Sequence, residues 1–194
     1  MQDFLFYVKL GLHHVLDFAA YDHILFLTAL AIPFTFKSWR KVLVLATIFT
    51  LTHCLSLALS TYDVLTVDVS LIEFLIPVTI FFTAVFNLIY VKSQIEHKSL
   101  LLHGIATAFF GLIHGFGFSN YFKMLMAEEE DKITPLLGFA TGIELSQLVI
   151  VLAGLVLAYI FQTGVKVKQS LYIIITSIIV LLITIPLLIN TFPF

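Results

Sequence analysis

The stretch VSLIEFLIPVTIFFTAVFNLIYV, residues 69–91, decides the fold. Apart from Glu73, Asn87 and a few hydroxyl groups it is apolar throughout. As a helix rising 1.5 Å per residue it is long enough to cross a hydrocarbon core of about 30 Å. Similar runs lie on both sides of it, at about 19–35, 42–60, 100–118, 136–161 and 171–189. The expected fold is therefore all-α: one polytopic transmembrane domain over residues 1–194, with about six spanning helices. The first run is short, and Pro33 sits near its end. Residues 1–18 mix Phe4, Leu5, Tyr7 and Val8 with Asp3, Lys9, His13, His14 and Asp17, a pattern that suits an interfacial or re-entrant helix.

Composition agrees. The 194 residues are 60% hydrophobic and 11% charged, with a mean hydropathy of +1.08, whereas soluble domains are about 45–50% apolar and about 25% charged. The ten Lys and Arg residues are scattered through short loops, which excludes the clustered basic footprint of a nucleic-acid binder. Cys54 is the sole cysteine, so no intrachain disulfide or thiolate cluster can form, and a metal would have to rely on nitrogen and oxygen ligands. The N-terminus lacks a basic cluster and a small-residue cleavage site, and it reads as mature sequence.

Basic loop residues orient membrane helices. Lys37, Arg40 and Lys41 follow the first run, Lys92 and Lys98 the third, Lys166 and Lys168 the fifth, which predicts that these loops are cytoplasmic. The opposite loops carry Asp63, Asp68 and the run from Glu128 to Asp131, with Lys9, Lys123 and Lys132 as their only basic residues. Both termini are then extracytoplasmic, and the acidic run is a solvated loop or a cation-attracting mouth.

Ionisable groups within a bilayer cost at least about 2.5–3.5 kcal/mol each, so each needs a partner, a cavity or a task. On this topology His53 lies about 17 Å along a helix rising from the cytoplasmic side, and His114 lies similarly high on the next outward-running helix. Glu73 is about one turn, and Glu144 about two turns, inside the outer ends of their helices. Asp22 and His23 open the first run on that side. Six groups from five helices thus converge on the outer leaflet, where His14 and Asp17 of the flanking segment can cap them. Thr50 shares a helix face with His53, and Gln147 with Glu144. Imidazoles with supporting carboxylates suit nickel, cobalt or zinc. One such histidine alone would more simply be interhelical glue, and Glu73 and Glu144 would then only pair with histidines. His97 reads as a loop residue. Asn87 and His103 mark a candidate inner path, although His103 can equally snorkel to the interface. Gly111, Gly115, Gly117, Gly138 and Gly142 permit either close helix approach or a broken helix lining a cavity.

Five motifs complete the reading: GLHHVLD with YDHILF (11–17 and 21–26), FTLTHCLSL (49–57), LIEFLIP (71–77), FGLIHGFGF (110–118) and GFATGIELSQ (138–147). In this order, and over nearly the whole chain, they resemble the HupE/UreJ family of membrane proteins associated with hydrogenase and urease maturation. Ala20, Cys54, Ala140 and Ser146 depart from that family's usual residues, and the His14 to His23 spacing is longer, which marks a side branch. The resemblance implies a nickel or cobalt permease of a bacterial inner membrane, with His14, Asp22, His23, His53, Glu73, His114, Glu144 and Gln147 as its polar motif positions. The expected partners are membrane lipid and a divalent metal ion, with no nucleic acid. Two other readings stand beside the permease. One is an intramembrane zinc-dependent hydrolase, with three of these groups on the metal and a Glu as general base. The other is a metal-free assembly factor whose polar cluster locks the bundle.

Overall fold

The computed structural model describes residues 2–18, 21–93, 100–127 and 129–193, so the expectations for Ala20, His97, Lys98 and Glu128 lie outside the described residues. In chain order the α-helices are α1 (Gln2–Leu16), α2 (Asp22–Ala31), α3 (Trp39–Thr61), α4 (Val69–Ser93), α5 (Leu100–Leu125), α6 (Ile133–Tyr159) and α7 (Gln169–Asn190). A π-helical turn, Ile160–Gly164, prolongs α6. The five helices α3 to α7 are long and apolar enough to cross a membrane. Helices satisfy their own backbone groups, as hydrocarbon requires, and exposed side chains such as Leu51, Phe82 and Leu182 are the apolar surface that such a protein turns to lipid. The chain is an all-α integral membrane bundle.

The first predicted run departs from this pattern. Its helix is only α2, ten residues or about 15 Å, half of a bilayer core. Summed hydropathy runs on to Thr35, but Pro33 has no N–H to continue the ladder, and the chain turns away at Ile32 and Pro33. Elsewhere helices outrun the apolar stretches: α5 continues past Phe118 to Leu125, and α6 starts at Ile133.

Two glycine seams set the packing. A Cβ at Gly111 would overlap the Thr52 hydroxyl and the Phe49 carbonyl, and one at Gly115 would overlap the Ser56 hydroxyl and the His53 carbonyl. These two glycines therefore let α5 lie directly on α3, with the two helices running parallel. Gly11, Gly138 and Gly142 do the same for α1 and α6, where a Cβ on Gly138 would come within 2.7 Å of the Phe4 carbonyl. Both α5 and α6 are continuous through these glycines, so they serve close approach and not helix breaks.

The N-terminal segment thus lies in the bundle, alongside and parallel to α6. Tyr7 is buried and donates a hydrogen bond to Glu129 at 3.1 Å, and Ser146 Oγ donates to the Leu12 carbonyl at 3.2 Å. In the loop after α3, Asp63 takes a positive φ of 57°, its N–H bonds the Ser60 carbonyl, and its carboxylate pairs with Lys123. Asp63, Asp68, Glu130 and Asp131 mark this as the acidic end of the bundle; Lys37, Arg40, Lys41, Lys166 and Lys168 mark the other as the basic end. On α7, Ile173, Ser177, Val180 and Thr184 form the one buried stripe, at spacings of three and four, and it faces α4.

Candidate metal centre

Four histidines from four helices meet inside the bundle. His14 occupies the last turn of α1, His23 the first turn of α2, His53 lies in α3 and His114 in α5. The parallel docking of α1 on α6 inserts His14, and the α3–α5 seam brings His114 up to the rings of Phe49 and His23, at 5.2 and 5.3 Å between centroids. His14 and His23 stand 4.6 Å apart, and each is 5.7 Å from His53. One ligand nitrogen from each of His14, His23 and His53 falls within 4.8 Å of the others. A tetrahedral ion with metal–nitrogen bonds of about 2.0–2.1 Å would hold such nitrogens about 3.4 Å apart, so closure requires only small side-chain movements.

The hydrogen bonds aim these rings. Asp22 Oδ1 accepts from the backbone N–H of His23 at 2.9 Å and lies 3.1 Å from its Nδ1. A carboxylate accepts, so Nδ1 carries the proton and Nε2 of the neutral ring keeps its lone pair. His114 follows the same logic, with Nδ1 donating to the Phe110 carbonyl at 2.9 Å. The Nε2 atoms of His14, His23, His53 and His114, and also Nδ1 of His53, are buried without a hydrogen-bond partner among the described residues. Leaving such groups unmatched costs about 1–3 kcal/mol each, and a bound cation satisfies several at once. This donor set fits a transition metal of the nickel, cobalt or zinc type and is poor in the oxygen ligands that calcium and magnesium require.

Aromatic rings wall the cluster. Phe118 stacks on Phe139 at 5.2 Å, with His14 against Phe118 at 4.0 Å. On the side toward the basic end, Phe26 stacks on Phe49 at 5.0 Å and meets Phe110 edge-on.

The remaining predicted residues take other places. Glu144 stands outside the group of three histidine nitrogens, held by the hydroxyls of Thr47 and Thr50, each donating at 2.6 Å. Thr47 was not singled out from the sequence, although the Thr47, Thr50, His53 spacing puts all three on one face of α3. Gln147, one turn further along α6, is fully buried, and both its amide atoms lack a hydrogen-bond partner among the described residues. Glu73 is exposed at a cavity of about 180 Å³ that Asp22 also lines. There Pro77 deprives the Glu73 carbonyl of its helical donor. His13 and Asp17 are exposed, and only His14 of that segment joins the cluster. Asn87 and His103 do share a cavity, of about 210 Å³, but its walls are mainly apolar and the Asn87 amide is committed to the Ala29 carbonyl at 2.8 Å.

A membrane-embedded helical bundle built around buried imidazoles is thus the class that fold and site define. Residues 1–190 match the family described as HupE / UreJ protein, and the chain belongs to that family. Comparisons with curated proteins and with solved structures return no match.

Proposed function

We propose that this protein is a permease or facilitator for a divalent transition metal of the nickel or cobalt type. Membership of the HupE/UreJ family implies a nickel- or cobalt-related accessory or transport role. The observation that carries the transport reading is the convergence of three ligand nitrogens from α1, α2 and α3 within 4.8 Å, buried in an otherwise apolar bundle. A site assembled across separate helices can alter its affinity when the helices shift, which a carrier needs.

The metal enters as cargo. By the distribution of basic loops the acidic end faces outward, both termini with it, in a bacterial inner membrane. The histidines capture the ion, Asp22 orients His23, and water is excluded by the Phe118–Phe139 and Phe26–Phe49 pairs. Onward passage follows the α3–α6 interface, where Glu144 offers a pinned carboxylate and Gln147 an unpartnered amide oxygen. The zinc-hydrolase alternative draws no support from the family.

Uptake of radioactive nickel and cobalt by cells expressing wild type, His53→Ala or His114→Ala tests this, with membrane abundance matched. Both variants should fall to the background of cells lacking the protein. Wild-type uptake in both would refute the proposal.

A further inference from the structure

Two chambers adjoin at the basic end of the bundle. The inner one, about 210 Å³, lies between α4 and α5 and is lined by Leu30, Phe82, Phe86, Leu102, Ala106 and Phe110. The outer one, also about 210 Å³, lies where α2 ends and α3 and α7 begin, and it presents Ser38, Lys41, Tyr90 and Gln169. Pro33 and His103 line both, so the two share a wall. Along α4 the inner chamber is lined from Phe82 to Asn87, a rise of about 7.5 Å. It opens sideways: Phe82, Phe86 and Leu102 at its rim are 61%, 46% and 56% exposed on the surface that faces hydrocarbon.

We propose that these chambers form a binding site for one anionic phospholipid of the leaflet at the basic end, with an acyl chain in the inner chamber and the phosphate in the outer. The match is one of polarity and charge. The apolar chamber lies at hydrocarbon depth and the polar one at the helix ends, the order in which a phospholipid presents tail and headgroup. The Lys41 ammonium makes no ion pair or hydrogen bond among the described residues, and Lys37 and Arg40 stand beside it in sequence. That cationic group suits a phosphate and disfavours an exit for a divalent cation. None of the four clustered histidines, His14, His23, His53 and His114, lines either chamber, and the site does not depend on the transport reading.

Native mass spectrometry of the full chain tests the site, titrating delipidated protein with phosphatidylglycerol or phosphatidylcholine of matched acyl chains. Wild type should take up one phosphatidylglycerol in preference to phosphatidylcholine, and excess inorganic phosphate should not displace it. Lys41→Gln should weaken phosphatidylglycerol binding about fivefold, the effect of roughly one interfacial lysine, and leave phosphatidylcholine unchanged. Filling the inner chamber with Ala106→Leu or, more fully, Ala106→Phe should reduce both lipids. Equal binding of the two lipids by wild type would overturn the proposal without any variant. Displacement by inorganic phosphate would reassign the outer chamber to a free anion. A dimer that persists without bound phospholipid would place a second copy of the chain on this face.

Discussion

Asp22 Oδ1 and His23 Nδ1 stand 3.1 Å apart, so two residues adjacent in sequence form a carboxylate–imidazole pair that turns the far nitrogen of the ring toward His14 and His53. The carboxylate fixes the tautomer and the orientation of the ring. Asp22→Asn should therefore weaken nickel or cobalt binding by the purified protein by about 10–100-fold, measured by competition with a chelating dye, without abolishing it. Unchanged affinity would make the pair purely structural.

Glu144 is predicted to act after capture. Its carboxylate is bound by Thr47 and Thr50, outside the group of three histidine nitrogens. Glu144→Gln should leave metal affinity close to wild type while slowing accumulation in proteoliposomes, and Thr47→Val/Thr50→Val should do the same by freeing the carboxylate. Loss of affinity in Glu144→Gln would instead move this residue into the first binding event.

The glycine seams can be tested by adding one methyl group. Gly115→Ala and Gly142→Ala drive a Cβ into backbone on the facing helix, and each should cost about 1–3 kcal/mol, seen as a lower Tm in detergent. Gly164→Ala, where nothing lies within 4 Å, should be neutral or stabilising by up to about 1 kcal/mol.

At the acidic end, Lys123 holds the Asp63 carboxyl below its ordinary value of 3.8 by hydrogen bond and charge. A depressed carboxyl contributes stability that is present above its unfolded pKa and lost as pH falls through the folded one. The pair is fully exposed, so the effect is small. Asp63→Asn should lower Tm slightly at pH 7, and the difference should shrink as pH falls below about 3.8 and vanish only below the depressed folded pKa.

Hydropathy and depth made much of this molecule legible. The long runs became α3 to α7, and the burial of His53 and His114 followed from their distance along apolar helices. The short N-terminal pieces were harder to read. The polar residues of α1 resemble those of an interfacial helix, and nothing local shows that Gly11 has a matching groove in Gly138 and Gly142 more than a hundred residues away. In α2 the Pro33 signal was outweighed by the apolar residues around it. Thr50 shares a face with His53, as its spacing requires, yet its hydroxyl serves Glu144, a partner that only the α3–α6 packing reveals. Glu73 and Asp17 are exposed outside the histidine cluster, because depth along a helix does not say which way a side chain turns.

The docking of α1 on α6 also has a consequence for biosynthesis. Leu12 and its partner Ser146 are 134 positions apart, so the groove that receives α1 does not exist until most of the chain has left the ribosome. Until then His14 has nothing to hold it beside His23 and His53. The ligand set is therefore completed late in synthesis, and a chain truncated before α6 carries all four histidines but lacks the groove that seats α1.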